Sequence, residues 1–91
     1  MKIAIVILNC NGLKHLKEFL PSVVQYSDEN PIYIIDNNST DNSVKFLKET
    51  YPKIKLVINS KNYGYAKGYN EGLKKVKEEN ENLSIKYDKT N

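Results

Sequence analysis

The stretch Ile3-Ala4-Ile5-Val6-Ile7-Leu8, running directly into Asn9-Cys10-Asn11-Gly12, decides how the rest of the chain is read. Continuous apolar character with four β-branched residues is the pattern of a strand buried on both faces, and the polar turn containing Asn-Gly stops it. Such a strand needs cover on either side, and the period of the sequence changes accordingly. Leu13, Leu16, Phe19, Leu20, Val23 and Val24 recur mostly three or four apart, with Lys14, Lys17 and Glu18 between them, which predicts an amphipathic helix. Pro21 falls inside that pattern and is expected to kink the helix or divide it in two. His15 lies on the polar side, as an exposed histidine does.

The same alternation repeats twice. Asn30-Pro31 breaks the chain, and Ile32-Tyr33-Ile34-Ile35-Asp36 reads as a second buried strand that ends on a carboxylate. Asn37-Asn38-Ser39-Thr40-Asp41 has the composition of a loop entering a helix, with Ser39 or Thr40 able to cap it and Asp41 placed in its first turn. Val44, Leu47 and Tyr51 mark that helix's buried face, and Pro52 ends it. Ile54-Lys55-Leu56-Val57-Ile58 predicts a third strand, and a third helix is expected over residues 65–79, its charged second half fraying into solvent. Leu83, Ile85 and Tyr87 alternate with Ser84, Lys86 and Asp88 as a short edge strand would. The order β-α-β-α-β-α, with crossovers long enough for parallel pairing, predicts an α/β fold: half of a doubly wound, three-layer sheet with strand order 3-2-1 and a possible short C-terminal strand.

Composition limits the function classes. A chain of 91 residues holds one domain or part of one, and 40% hydrophobic against 27% charged residues is a globular balance. The net charge of +3 comes from fourteen lysines, spread along the chain, against eleven carboxylates. Without arginine or a basic stripe this is not the footprint of a nucleic-acid binder. The one cysteine, Cys10, permits no internal disulfide and suits a reducing compartment, which points to the cytoplasm. The apolar run at the start is too short for a membrane span and lacks a cleavage site.

In open parallel sheets, ligands lie beyond the carboxyl ends of the strands. Here those ends are residues 8–12, 36–41 and 59–64, which hold six of the chain's twelve asparagines. Loop and cap chemistry accounts for Asn38, Asn59 and Ser60. Asp36 is different: a carboxylate ending a buried strand needs donors, and a ligand's N–H or ribose hydroxyls would suit it. Three nucleotide schemes fail at the residues they most need. There is no G-x-G-x-x-G after the first strand, no G-x-x-x-x-G-K-[ST] loop, and no acidic pair to hold magnesium as in a phospho-acceptor receiver.

Taken together, Ile5 to Gly12, Ile34 to Ser43 and Asn62-Tyr63-Gly64-Tyr65-Ala66-Lys67-Gly68-Tyr69-Asn70-Glu71-Gly72 resemble the N-terminal half of family 2 glycosyltransferases, in the rhamnosyltransferase-like branch. The resemblance covers about residues 2–77. It implies the GT-A, Rossmann-like fold and an inverting enzyme that moves a sugar from a nucleotide-sugar donor, UDP-, GDP- or dTDP-linked, to an acceptor. It also implies bacterial envelope polysaccharide chemistry.

The resemblance places Leu8, Asn9, Cys10 and Asn11 against the nucleotide, where the family often carries a base-stacking tyrosine at the position of Cys10. It makes Asp36 the acceptor of a base N–H, and Asn62 and Gly64 the turn that brings backbone to the nucleotide. Gly68, Asn70 and Gly72 would be architectural, and Lys67 reads first as a solvated lysine, with charge lent to the diphosphate as the alternative. The family's metal-binding D-x-D and its later general base find no counterpart, since Asp88-Lys89-Thr90 lacks the second carboxylate. The implied picture is a single partial domain, residues 1–91 with a charged tail at 78–91, catalytically incomplete by itself. A Mn²⁺ or Mg²⁺ cofactor would belong to the full-length enzyme. An unpaired edge of the first strand can be met by the Leu83–Tyr87 segment folding back as a substitute edge or by a second chain, and the shortness of that segment favours a homodimer. The alternative is a non-catalytic nucleotide-binding or interaction module on the same fold, or an α/β domain without a ligand.

Overall fold

In a computed structural model of the chain, residues 2–79 and 83–87 are described. The elements run β1 (Lys2–Asn9), α1 (Leu13–Tyr26), β2 (Ile32–Asp36), α2 (Ser43–Thr50), β3 (Lys55–Ile58), α3 (Tyr65–Glu79) and β4 (Leu83–Tyr87). All pairings are parallel, in the order β3-β2-β1-β4. The register sets Ile5 against Ile32 through Asn9 against Asp36, and Tyr33 against Lys55 through Asp36 against Ile58. The three strands that resemble the half-sheet therefore end level, which is what gathers their exit loops.

Side-chain alternation sorts the core into two layers around the sheet. Ala4, Val6, Tyr33, Ile35 and Val57 point to one face, where Leu73 and Val76 of α3 cover them. Ile34 points to the other, against Leu16 and Leu20 of α1 and Leu47 of α2, with Ile7 and Leu56 packed alongside. Val76 is wholly buried, and α3 stays helical to Glu79 in place of the expected fraying.

Two local expectations are corrected. Pro21 neither ends nor divides α1, which runs unbroken over fourteen residues. Leu16 and Leu20, buried on the sheet, hold the helix before it and partly buried Val23 packs on the same cluster after it, while Pro21 itself faces solvent, so the carbonyl deprived of a partner, that of exposed Lys17, lies on the wet side. α2 is not capped by Ser39 or Thr40; it starts at Ser43, and the carboxylate of Asp41 receives the Ser43 N–H at 2.9 Å and its hydroxyl.

The ground for a homodimer, an unpaired β1 edge, is also absent. β4 lies along that edge within one chain, pairing Lys2 with Leu83 through Val6 with Tyr87. The Tyr69 hydroxyl of α3 donates to the Val6 carbonyl at 2.6 Å. Asp88-Lys89-Thr90 lies outside the described residues. Among the described residues no helix is long and apolar enough to cross a membrane.

Candidate functional site

The three loops that leave β1, β2 and β3 meet at one end of the sheet, and two sets of hydrogen bonds join them. The first set ties loop 10–12 to loop 37–42 through Asp36. This carboxylate has no solvent exposure. Its Oδ1 accepts from Asn9 Nδ2 at 3.0 Å and from the Ser39 hydroxyl at 2.7 Å, and its Oδ2 accepts from the Ser39 N–H at 2.8 Å. Ser39 Oγ in turn accepts the Asn11 N–H at 2.9 Å. Asn11 Oδ1 accepts the N–H groups of Thr40 at 2.7 Å and Asp41 at 3.1 Å. Asn11 and Asn38 sit in the left-handed region, φ 52° and 58°, which asparagine tolerates better than most residues.

Asp41 serves two helices. Besides Ser43, it accepts the Leu13 N–H at 3.2 Å, so one carboxylate sits at the start of both α1 and α2, where helix dipoles favour negative charge. Burial acts to raise its pKa, but the hydrogen bonds from the Ser43 hydroxyl, the Ser43 N–H and the Leu13 N–H outweigh it and hold the carboxyl below its usual 3.8.

The second set ties loop 37–42 to loop 59–64 through Asn37, only 2% exposed. Its Nδ2 donates to Asn62 Oδ1 and to the Gly64 carbonyl, each at 2.9 Å. Its Oδ1 accepts from Asn59 Nδ2 at 3.2 Å and from the Tyr63 N–H at 3.1 Å. Asn59, 1% exposed, also donates to the Gly68 carbonyl at 3.0 Å. Gly68 is glycine for a steric reason, since a Cβ there would lie 2.7 Å from Asn37 Nδ2. Gly64 has φ +80°, a conformation glycine adopts without strain, and this turns the chain into α3. Lys61 and Lys67 hold their ammonium groups over the Tyr63 ring, at 5.3 and 5.2 Å from its centre.

The residues singled out from sequence are thus brought together, but at two depths. Cys10, Asn11, Asn62 and Gly64 form the rim, with Leu8 half-buried beside them. Asn9 and Asp36 lie beneath. The donors that Asp36 requires come from Asn9 and Ser39 and not from a ligand, because the carboxylate is enclosed. Sequence reasoning missed Asn37, Ser39 and Asn59 as hubs. Their one signal was position, directly after the last residue of a strand or three residues beyond it. Among the described residues no group of three or more His, Cys, Asp or Glu could hold a metal ion. A groove of about 540 Å³, lined by Val24, Pro31, Ile32, Tyr51, Pro52 and Ile54 among others, lies at the opposite end of the strands, remote from these loops.

Residues 4–80 match the family described as Glycosyl transferase family 2. Among solved structures the chain is similar to the mannosyltransferase PcManGT from Pyrobaculum calidifontis, solved in complex with GDP-Man and Mn²⁺, with a TM-score of 0.63 at 21% identity. The likeness covers 81% of this chain and 24% of that one, so the chain spans about a quarter of its length. At that identity the likeness establishes the fold. No match was found among curated proteins.

Proposed function

The chain belongs to glycosyl transferase family 2, and on that premise we propose that its strand-end loops bind the nucleotide of a nucleotide-sugar donor, in an enzyme that transfers the sugar to an acceptor with inversion. The observation that carries this reading is the convergence of the three exit loops on one rim, formed by Leu8, Cys10, Asn11, Asn62 and Gly64. A parallel sheet offers ligands this place, and the network beneath it fixes the rim before a ligand arrives, which lowers the ordering cost of binding.

The roles divide by depth. Leu8 offers apolar surface to a base or ribose. Asn11 and the Gly64 turn bring backbone close to the nucleotide, and Lys61 and Lys67 lend positive charge near the diphosphate. Asn9 and Asp36 act from below, by setting where Ser39 and Asn11 stand.

The described residues do not fit a divalent cation. Asp36 is enclosed and Asp41 is bound to the starts of two helices. The metal seen with the archaeal neighbour would, in a full-length relative of this chain, be held elsewhere. Likewise no described side chain at the rim is placed to take a proton from an acceptor hydroxyl, so the 91-residue chain should carry no transferase activity.

Titration with UDP, GDP and dTDP tests the binding. Amide resonances of Asn11, Thr40 and Gly64 should shift, with affinity in roughly the millimolar range, about −4 kcal/mol. Shifts confined to Lys74, Lys75 and Lys77 of α3 would mean unspecific attraction of phosphate and would overturn the reading.

A further inference from the structure

The two hydrogen-bond sets leave one direct link between the first and third loops. Asn62 Nδ2 donates to Cys10 Sγ at 3.3 Å. The sulfur is positioned for this, since its own S–H is aimed at the Asn37 carbonyl, 3.8 Å away, which turns its lone pairs toward Asn62. The amide of Asn62 is held in one orientation. Its Oδ1 accepts from two donors, Asn37 Nδ2 at 2.9 Å and the Gly64 N–H at 2.8 Å, so the oxygen must face them and the NH₂ must face the rim. Asn62 therefore presents an exposed, pre-aimed donor whose partner is a thiol, a weak acceptor.

We propose that Asn62 and Cys10 form an exchangeable latch across the nucleotide rim, in which the Asn62 NH₂ leaves sulfur for an oxygen acceptor of an incoming nucleoside diphosphate. This rests on the binding reading above and adds to it which group is offered and what it gives up. Trading a sulfur acceptor for an oxygen acceptor favours the bound state, and the Oδ1 contacts keep Asn62 and the third loop in place while the acceptor at its NH₂ is exchanged. Binding thereby uncouples the first and third loops without disturbing the Asn37 hub.

The test follows the Asn62 side-chain NH₂ resonance of the 91-residue chain during titration with UDP or GDP. It should shift in step with the backbone amides of Asn11 and Gly64. Asn62→Asp keeps an oxygen for Asn37 and Gly64 but removes the donor, and should weaken binding about three- to tenfold. Cys10→Ala releases the donor and should raise affinity, whereas Cys10→Ser supplies a stronger competing acceptor and should lower it. Rim amides that move while the Asn62 NH₂ does not, with Asn62→Asp binding like wild type, would overturn the latch and leave the nucleotide site standing. Cys10→Ala weakening binding as much as Asn62→Asp would overturn it too, because sulfur would then be a ligand contact. No rim shift with any nucleotide overturns both readings.

Discussion

The Ser39 hydroxyl donates to Asp36 Oδ1 across 2.7 Å while the Ser39 N–H reaches Asp36 Oδ2 at 2.8 Å, so one residue grips both oxygens of a carboxylate that solvent does not reach. Asn9 supplies a third donor from the neighbouring strand end. The arrangement makes Asp36 an internal clamp between β1 and the loop after β2. Its loss should therefore appear first in stability. Asp36→Asn sets an NH₂ against donors and should cost about 2–4 kcal/mol, and Ser39→Ala about 1–2 kcal/mol. Urea unfolding measures both, and an Asp36→Asn chain as stable as wild type would contradict the clamp.

Gly68→Ala separates two opposed effects. Intrinsic helix propensity favours alanine by about 1 kcal/mol. The new Cβ, however, would meet the Asn37 side chain at 2.7 to 2.9 Å, and Asn37 has all four of its hydrogen-bonding valences engaged. Overpacking against a group that cannot yield should prevail, with a net loss of about 1–3 kcal/mol. Thermal unfolding gives the sign, and the Tyr63 amide should exchange faster with solvent. A stabilised variant would mean the loop gives way.

Asp41 predicts a pH dependence. Its pKa is lowered on folding, because hydrogen bonds from Ser43 and Leu13 outweigh the opposing effect of burial. Its contribution is thus complete above the usual value of 3.8 and is lost as pH falls through the lower folded value. Asp41→Asn should be less stable than wild type at neutral pH, and the gap should close in acid below the folded value. A gap that stays constant across that window would show that the charge contributes nothing.

The chain should sediment as a monomer of 10.5 kDa into the hundreds of micromolar, because β4 occupies the edge of β1 that copies would otherwise share. Amides of β1 that face β4 should be protected from exchange at every concentration. Protection that appears only as concentration rises, together with a doubled mass, would restore edge-to-edge pairing.

What the sequence made legible followed from burial and period. The run Ile32 to Asp36 is buried at every position and reads as a strand with those limits. The period over residues 65–79 matches α3 because Leu73 and Val76 fall on its sheet-facing side. Pro21 was misjudged because local propensity is silent about Leu16 and Leu20, which anchor α1 from the sheet. The asparagine hubs were hidden for another reason. An asparagine in a loop suits turn geometry whether or not its side chain spans to a partner, and Asn37 finds Asn59 and Asn62 more than twenty residues away. Asp36 drew attention correctly as a buried carboxylate, but composition could not say that Ser39, three residues on, would fill its valences.

The central claim is that a nucleotide sits on the rim above Asp36, and intermolecular nuclear Overhauser effects between UDP or GDP and the chain locate it most directly. The account predicts contacts from base or ribose protons to the Leu8 methyls and the Asn11 amide. Contacts instead to Val24 and Ile54, in the groove at the opposite end of the strands, or none at saturating nucleotide, would contradict it.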